Sequence, residues 1–378
     1  MKTNSDKLKI AMFGHKHIPS REGGVEIVVG ELSTRMAALG HSVTCYNRSG
    51  RFAGEATGSS FKKGDYKGVK VRSVWTVDFK GLAAASSSFF AAIKCIFSRA
   101  KVVHIHAEGP AFMSFIPRLF GKRVIVTVHG LDWQREKWKS GFASKYIKMG
   151  EKSAVKFAHE IIVLSCGEKE YFKNTYGREV VRIPNGVDHP EILVPKLITE
   201  KFGLEKDGYI LFLGRLVPEK GVHYLIEAFK NTKTDKKLVI AGGASDTDDY
   251  VNEIKELAKT DDRIIFTGFV EGQTMTELYS NAYIYTLPSS LEGMPLSLLE
   301  AMSYGNACLV SDIPECAEVV EDNGEIVHIE NAEDLQKALQ KLCDNAKIVS
   351  EYKSKAADFI CQKYSWDDVV EKTLKLYR

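Results

Sequence analysis

Two glutamates, with seven residues between them, interrupt a stretch that is otherwise apolar or small. Glu292 and Glu300 lie within PSSLEGMPLSLLEAMSYG, residues 288–305. Pro295 suits the first turn of a helix, because its missing N–H would be unpaired there, and Gly305 suits a helix end. The pattern therefore predicts Glu292 in a loop and Glu300 on the helix that follows.

This predicted helix start offers two kinds of binding group. Carboxylates accept hydrogen bonds and suit the hydroxyl groups of a sugar. A phosphate would instead favour the backbone N–H groups of Gly293 and Met294. The structural alternative is a buried Glu300 that caps a backbone donor. We interpret the stretch as a site for a ligand that carries both hydroxyl and phosphate groups.

A second candidate site lies in a predicted strand-to-helix loop. Arg215 and Lys220 follow the apolar run YILFLG, and Gly221 ends the loop. Ligands of open parallel sheets bind beyond the carboxyl ends of the strands. Two cations there suit a diphosphate through charge-assisted hydrogen bonds. A surface loop without a ligand is the alternative, and we favour phosphate binding because of where the loop lies.

A glycine pair follows the predicted first strand. Gly23 and Gly24 open a helix, and without side chains they let backbone N–H groups approach a phosphate at its N-terminus. A tight strand-to-helix turn explains the pair equally well, because the complete G-x-G-x-x-G fingerprint is missing.

The elements that must position these residues alternate along the whole chain, which predicts parallel sheets wrapped by helices. The strand-like runs are LKIAMFG, HSVTCYN, VKVRSVW, KVVHIHA, KRVIVTVHG, EIIVLS, YILFLGRL, KKLVIAGG, RIIFTGFV, AYIYTLPS and NACLVSD. Residues 180–196 break the rhythm with prolines and a glycine, and we place the linker there. We predict two Rossmann-like domains, residues 1–188 and 189–362, and a helix over 363–378 capped by Ser365.

Length and composition are those of a globular protein with two domains. The chain has 378 residues, 44% hydrophobic and 27% charged, and one core rarely supports that length. The uncharged run at residues 81–93 is too short to span a bilayer. The N-terminus has no signal region, and seven scattered cysteines without a C-x-x-C pair predict reduced thiols. We therefore expect a cytoplasmic protein.

The charge is distributed unevenly between the two halves. Residues 1–200 carry 32 Lys and Arg against 18 Asp and Glu, and residues 201–378 carry 20 against 31. A basic half suits an anionic membrane or a phosphorylated acceptor. A solvated surface without a partner is the alternative.

The motifs together resemble those of a known enzyme family. GRLVPEKG, followed some seventy residues later by SSLEGMPLSLLEAMSYGNACLVSD, is similar to the signature of retaining GT-B glycosyltransferases of family 4. Their E-x7-E motif matches Glu292 and Glu300, and EGGVE and IPNGVD also fit, so the resemblance covers nearly the whole chain. One departure is the lack of the usual proline near Ala307. The resemblance implies two Rossmann-like domains facing across a cleft, an acceptor domain first and a donor domain second, with the C-terminal helix crossing back to the first.

The resemblance also implies roles for individual residues. Arg215 and Lys220 would bind the donor diphosphate and stabilise the leaving group, Glu292 would sit over the donor sugar, and Glu300 would hold the ribose hydroxyls. His129 corresponds to a histidine near the reacting centre. The remaining implied donor contacts are Gly23, Gly24, Gly268, Val270, Gly293, Met294, Pro295 and Leu296. The acceptor candidates are His106, Glu108 and Trp133.

Neither a metal nor another cofactor is expected. The DTD at residues 246–248 mimics the metal-binding D-x-D of another glycosyltransferase fold, but it precedes a helical pattern, and we interpret it as helix capping. Nucleic acid is not an expected partner.

Two segments of the basic half suit a membrane surface. FKGLAAASSSFFAAIKCIFSRAK predicts a helix with Phe and Leu on one side, and GLDWQREKWKSGF adds Trp133 and Trp138 among basic residues. Both fit an anionic bilayer that presents a lipid-diphosphate acceptor. The cations of the first segment are Lys80, Lys94, Arg99 and Lys101. An ordinary packed helix is the alternative.

The sequence as a whole predicts a retaining glycosyltransferase that moves a sugar from a nucleoside-diphosphate sugar to a growing, lipid-linked glycan. GHKHIPSREGGVE and HGLDWQREKW resemble the bacterial surface-polysaccharide branch, which builds capsule or exopolysaccharide and includes rhamnosyltransferases. The expected location is cytoplasmic, peripheral at the inner face of the plasma membrane. A sugar-nucleotide 2-epimerase of the same fold is the enzymatic rival, and a nicotinamide dehydrogenase fits poorly. A catalytically silent lipid- or glycan-binding protein is a further alternative, against which the intact motif residues argue.

Overall fold

The chain forms two compact units. Unit 1 comprises Met1–Asn185 together with Trp366–Arg378, and unit 2 comprises Gly186–Ser365. The computed structural model describes residues 7–50, 64–79, 81–134, 142–244 and 247–378.

Unit 1 is a parallel sheet flanked by helices. Its described strands are β1 (Lys9–Phe13), β2 (Ser42–Arg48), β3 (Gly64–Tyr66), β4 (Val69–Val74), β5 (Val102–His106), β6 (Arg123–Thr127), β7 (Glu160–Val163) and β8 (Val181–Arg182). The sheet order is β3-β4-β2-β1-β5-β6-β7-β8, and every described pair except β3–β4 is parallel. The first six helices are α1 (Gly24–Ala38), α2 (Ala83–Phe97), α3 (Glu108–Ala111), α4 (Phe115–Leu119), α5 (Phe142–Phe157) and α6 (Cys166–Tyr176).

Unit 2 repeats this architecture. Its described strands are β9 (Tyr209–Leu213), β10 (Lys237–Ala241), β11 (Ile264–Gly268), β12 (Ile284–Leu287), β13 (Ala307–Ser311) and β14 (Glu325–Val327). The sheet order is β11-β10-β9-β12-β13-β14, with all described pairs parallel. The helices are α7 (Leu197–Phe202), α8 (Val222–Lys230), α9 (Asp248–Ala258), α10 (Gly272–Asn281), α11 (Leu296–Ser303), α12 (Pro314–Val320), α13 (Ala332–Asp344) and α14 (Ala346–Lys363).

The central strands are apolar on both faces, because helices cover both sides of each sheet. Ile10–Phe13 of β1 and Tyr209–Phe212 of β9 are fully buried. The strand order reverses beside β1 in unit 1 and beside β9 in unit 2. In such sheets ligands bind at the carboxyl ends of the strands at this reversal, so the loops after β1 and β5, and those after β9 and β12, are where a site is expected.

The last helix, α15 (Trp366–Leu376), completes unit 1. Trp366 is buried, and the Tyr377 hydroxyl lies 2.6 Å from Nδ1 of His104 on β5. Arg123 Nε donates to the carbonyl of Leu376 at 2.7 Å. Residues that follow unit 2 in sequence therefore pack into the core of unit 1.

The predicted architecture of two α/β domains with parallel sheets is confirmed. The starts of two helices differ from what the sequence predicted. Helix α11 begins at Leu296, and Pro295 is its N-cap residue rather than part of its first turn. Helix α9 begins at Asp248 after Thr247, whose side chain makes no capping hydrogen bond, and Asp246 lies outside the described residues.

The described helices include none that is both long and apolar enough to cross a bilayer.

Candidate active site

The loop after β9 is held against the loop after β12 by a close backbone approach. Pro218–Lys220 forms a 3₁₀ turn, and Gly221 then adopts a φ of +67°. A Cβ on Gly221 would lie 2.2 Å from the carbonyl oxygen of Pro288, so this position requires glycine. Ser290 N–H donates to the Glu219 carbonyl at 2.9 Å. The turn therefore carries Lys220 to the end of β12.

Lys220 forms a largely buried ion pair with Glu292. Nζ of Lys220 donates to Oε1 of Glu292, and each side chain is 10% exposed. Ser289 Oγ donates to the same oxygen at 2.8 Å, and Ser311 Oγ donates to the Ser289 carbonyl. Removing two charges from water is costly unless they are paired. Their pairing at the reversal of the strand order indicates a built polar site.

The pair retains hydrogen-bonding capacity towards a ligand. Both bonds to Glu292 end on Oε1, and no donor among the described residues reaches Oε2. The Lys220 ammonium has three N–H donors, of which Glu292 accepts one. The arrangement can therefore accept from a hydroxyl and donate to an anionic oxygen at the same time.

Arg215 lies directly beyond β9 and is half-buried. The backbone around it continues the pairing with the segment after β10, because Gly214 N–H donates to the Ala241 carbonyl and Leu216 N–H to the Gly243 carbonyl, each at 3.0 Å. Arg215 thus follows the strand next to the reversal, on the same loop as Lys220.

Glu300 lies on α11 and is half-buried. The hydroxyl of Tyr279 is 3.4 Å from its Oε2 and equally far from the Ser297 carbonyl. Tyr279 is fully buried and stacks on Tyr304 with ring centroids 5.2 Å apart. Glu300 is therefore held from the core side by a tyrosine while its carboxylate keeps part of its surface in solvent.

The other predicted donor contacts in unit 2 fall into two groups. Gly268 ends β11 with a φ of +71°, and its carbonyl accepts from Gly242 N–H at 2.9 Å. Val270 is half-buried, next to Phe269, which is 39% exposed. The second group is buried at the start of α11 and consists of Gly293, Met294, Pro295 and Leu296.

The glycine pair of unit 1 begins α1 as predicted. Gly23 is the N-cap residue and Gly24 the first helical residue. The carboxylate of Glu26 already lies here, since a Cβ on Gly23 would meet its Oε2 at 2.4 Å, and its Oε1 accepts from Lys16 N–H at 2.8 Å. Burial opposes ionisation of Glu26, but the Lys16 bond and nearby cations hold its pKa below the ordinary value. Phosphate binding by this loop stays a prediction.

Histidines lie in a row across the carboxyl ends of β5 and β6. His106 Nδ1 is 3.1 Å from His129 Nε2, and the rings of His104 and His106 are 4.1 Å apart. Burial lowers the pKa of His104 to about 3, and burial with its two neighbours places the pKa of His106 well below the ordinary value. His104 and His106 are therefore neutral at physiological pH, and half-buried His129 is the one that solvent reaches.

Glu108, an acceptor candidate, is fully buried. Its Oε2 accepts from Asp132 N–H at 2.8 Å. Burial, the charge of Asp132 and a hydrogen bond with the carboxyl of Glu151 raise its pKa well above the ordinary value. Glu151 accepts from Tyr171 at 2.9 Å and also from Tyr176. This geometry gives Glu108 a structural role, and it does not present the carboxyl to a ligand.

Of the other two acceptor candidates, His106 is fully buried and Trp133 is half-buried. Lys148 Nζ lies 4.3 Å from the centre of the Trp133 ring. Trp138, predicted to act with Trp133, lies outside the described residues. Among the residues that the structure describes, no three His, Cys, Asp or Glu side chains are grouped as a metal site.

The structure thus brings Arg215, Lys220 and Glu292 to neighbouring loops of one sheet, with Glu300 on the helix behind them. Sequence reasoning missed the residues that hold the predicted site residues of each unit in place. In unit 2 they are Ser289, Ser311 and Tyr279. In unit 1 they are Glu26 beside Gly23, His104 beside His106, and Glu151 beside Glu108. The adjacent serines in PSSLEG were the one local signal for part of this network.

Two family models match successive parts of the chain. Residues 22–190 match Glycosyltransferase Family 4, and residues 196–375 match Glycosyl transferases group 1. The two matches fall almost entirely in the first and second halves of the chain and together cover nearly all of it.

Curated relatives include named glycosyltransferases. An uncharacterized glycosyltransferase of Methanocaldococcus jannaschii is 29% identical over 216 residues, which are 54% of this chain and 55% of that protein. The UDP-Gal:alpha-D-GlcNAc-diphosphoundecaprenol alpha-1,3-galactosyltransferase of Escherichia coli is 29% identical over 73% of this chain and 74% of its own length. Both similarities favour a transferase.

A solved structure supports the fold. HepE of Anabaena, crystallised with UDP and glucose, superposes with a TM-score of 0.80 at 16% identity, covering 97% of this chain and 98% of that chain. The two parallel-sheet α/β units of this chain therefore have the GT-B fold.

Proposed function

We propose that this glycosyltransferase with the GT-B fold transfers a sugar from a nucleoside-diphosphate sugar to a hydroxyl of a growing, lipid-linked glycan. The anomeric configuration of the sugar would be retained. The setting would be surface-polysaccharide biosynthesis. The observation that carries the donor half of this proposal is the Lys220–Glu292 pair, 10% exposed on each side, at the carboxyl end of the unit 2 sheet.

The leaving group would be stabilised by Arg215 and Lys220. As the bond between sugar and diphosphate breaks, negative charge develops on the diphosphate, and cations fixed in advance stabilise that charge without reorganising. The bond from Lys220 to Glu292 fixes the ammonium before the donor arrives. Two of its N–H groups would then point to phosphate oxygens.

The two glutamates would hold the polar parts of the donor on either side of the diphosphate. Glu292 Oε2, with no donor among the described residues, would accept from a hydroxyl of the donor sugar. Glu300, kept half-exposed above Tyr279, would accept from the ribose hydroxyls. Retention would follow from attack on the same face as the departing diphosphate, with a donor phosphate oxygen helping to take the acceptor proton.

In unit 1, His129 would lie near the transferred sugar. It is the histidine of its row that solvent reaches, and its Nε2 is oriented by His106 Nδ1 at 3.1 Å. Burial lowers the pKa values of His104 and His106, so these two histidines add no positive charge beside an oxocarbenium-like centre. A lipid-linked acceptor is supported by the name of the Escherichia coli relative, whose acceptor is a diphosphoundecaprenol-linked sugar.

Ligand-induced thermal stabilisation tests the donor site. The full chain is heated with a panel of nucleoside diphosphates and their sugars, as wild type, as Glu300→Ala, and as the control Glu351→Ala, an exposed glutamate on α14. Binding at a hundredfold excess over Kd adds about 2.7 kcal/mol of stability. We expect one nucleotide sugar to raise the melting temperature of wild type and control, and to do so much less for Glu300→Ala.

The outcomes separate the competing functions. The donor-site proposal fails if no nucleotide stabilises the protein, or if Glu300→Ala and Glu351→Ala respond alike. With the donor identified, NMR of the product reports its anomeric configuration, and inversion would refute retention. Epimerised sugar nucleotide formed without an acceptor would support the epimerase alternative.

A further inference from the structure

Large apolar side chains are concentrated on one surface of unit 1. Residues of the segment before α2, of α2 itself and of the end of α4 are between 41% and 86% exposed. We call this surface the apolar patch. It consists of Trp75, Phe79, Leu82, Phe89, Phe97, Leu119 and Phe120.

Helix α2 exposes two of its largest apolar side chains. Phe90, Ile93 and Ile96 are partly buried against the core. Phe89 and Phe97 are 41% and 86% exposed, while the fully buried residues of the helix are small or weakly polar. The buried residues are Ala83, Ser87, Ser88, Ala91, Ala92 and Cys95. Since a surface helix ordinarily buries its large apolar side chains, this face has the composition of one that is covered in use.

The apolar patch is continuous. Trp75 packs edge-on against half-buried Phe90 with ring centroids 5.1 Å apart, and Phe90 contacts Phe89 at 5.3 Å. At the other end, Lys122 Nζ donates to the carbonyls of Ser98 at 3.0 Å and Ala100 at 2.8 Å. These bonds tie the end of α2 to the turn that follows Leu119 and Phe120.

Cations surround the patch. Residues 79–131 contain seven Lys and Arg but one acidic residue, Glu108. Glu108 is fully buried, and burial raises the pKa of its carboxyl well above the ordinary value. The exposed acid nearest in sequence is Asp78, directly before this stretch. The exposed cations of the stretch within the described residues are Lys94, Arg99, Lys101 and Arg118. The surface is therefore both apolar and positively charged.

We propose that the apolar patch docks on the surface of an anionic lipid bilayer, with Phe89, Phe97 and Phe120 entering the interface and the cations on its rim contacting anionic headgroups. Exposed aromatic side chains gain free energy in that interface, and each nearby Lys or Arg adds electrostatic attraction. A protein partner would need to be acidic at its rim, whereas an anionic bilayer supplies both an apolar interior and a continuous negative surface. The inference does not depend on the proposed donor or acceptor.

Cosedimentation of the full chain with vesicles tests this without any substrate. Vesicles of phosphatidylcholine with about a third phosphatidylglycerol are compared with phosphatidylcholine alone at moderate salt. We expect the wild type to partition to the anionic vesicles and to be released by high salt. The emission of Trp75, which is 61% exposed, should shift to the blue on binding, and this part of the shift should disappear in Trp75→Phe.

Variants locate the contact. Phe89→Ser with Phe97→Ser should lower the partition coefficient at least about tenfold, and Arg99→Ala with Lys101→Ala about fivefold per cation. The matched control is Leu39→Ser, an apolar residue 63% exposed at the end of α1 and outside the patch. Each side chain is exposed, so circular dichroism should show unchanged folding.

Three results would overturn the proposal. The first is wild-type protein that ignores both kinds of vesicle. The second is equal loss of binding in the Leu39 and double-Phe variants. The third is a dimer in solution that Phe97→Ser dissociates while vesicle binding is absent, which would assign the patch to a second copy of the chain.

Discussion

Replacement of Lys220 by methionine should destabilise unit 2 by about 3 kcal/mol. Methionine keeps most of the volume of the side chain but leaves the Glu292 carboxylate 10% exposed without its cation. Removing one partner of a buried ion pair costs about 3–5 kcal/mol. The lower end applies here, because Ser289 still donates to Glu292 at 2.8 Å and some water reaches the site. For a unit of this size the melting temperature should fall by about 6–12 °C.

The second substitution of the cycle is Glu292→Leu. Lys220→Met with Glu292→Leu replaces both charges by apolar groups, which is often close to neutral. We therefore expect the double variant to recover to within about 1 kcal/mol of wild type, which is far less than the sum of the two single effects. The exposed pair Lys337–Glu333, 66% and 77% exposed on α13, supplies the control, since Lys337→Met should leave the midpoint of urea unfolding nearly unchanged.

The assay is urea unfolding of the full chain followed by two signals. All four tryptophans, at positions 75, 133, 138 and 366, belong to unit 1, so their fluorescence reports that unit, while far-ultraviolet circular dichroism reports both. The difference between the two curves isolates unit 2. The reasoning is refuted if Lys220→Met behaves like Lys337→Met, or if the effects of the two substitutions at the buried pair simply add.

Three further predictions concern backbone, burial and proton sharing. Gly221→Ala should lower the free energy of unfolding by more than about 2 kcal/mol, because its Cβ would lie 2.2 Å from a carbonyl oxygen. Gly272 has a φ of +56° and no atom within 4 Å of where a Cβ would lie, so Gly272→Ala should lower it by only about 1 kcal/mol. Urea unfolding followed by circular dichroism compares the two variants. Burial holds the pKa of His104 at about 3, below 6.5, so the unfolded chain binds a proton that the folded chain does not. The stability that neutral His104 contributes is complete above pH 6.5 and falls by up to about 1.4 kcal/mol per pH unit towards pH 3. Unfolding detected by tryptophan fluorescence should therefore depend less on pH in His104→Gln than in wild type. The pKa of Glu108 is raised, so the folded protein keeps this proton above the unfolded pKa of 4.5 and loses stability as the pH rises from there. Glu108→Gln supplies an amide donor to Glu151 instead, and it should raise the melting temperature more at pH 8 than at pH 5. An equal change at both pH values would contradict the shared proton.

The sequence predicted the two sheets because their strands are buried on both faces and appear as continuous apolar runs. It also placed Arg215 and Lys220 correctly beyond β9, since the loops after parallel strands all reach one edge. The ion pair between Lys220 and Glu292 was not predictable, because it joins residues 72 positions apart and depends on Gly221 fitting against Pro288. Local patterns carry no information about such pairings.

Burial of particular polar residues was likewise not readable from the sequence. Glu108 seemed suited to a pocket, but α5 packs so closely on α3 at Gly150 that a Cβ there would lie 1.9 Å from the Glu108 carbonyl oxygen. Glu108 is fully buried in this packing. The helix α2 was expected from its pattern, but the pattern does not tell which side faces the core, because the packing of small residues such as Ala91 and Ala92 decides it.

The return of α15 to unit 1 reverses the usual order of folding during synthesis. Domains generally fold as they emerge, N-terminal first, but His104 finds its partner Tyr377 only after all of Gly186–Ser365 has been made. Unit 2 is continuous in sequence, and its ends meet where Val187 N–H donates to the Tyr364 carbonyl at 2.8 Å. Unit 2 therefore contains all the residues that its own fold needs, whereas the fold of unit 1 is complete only once α15 has joined it.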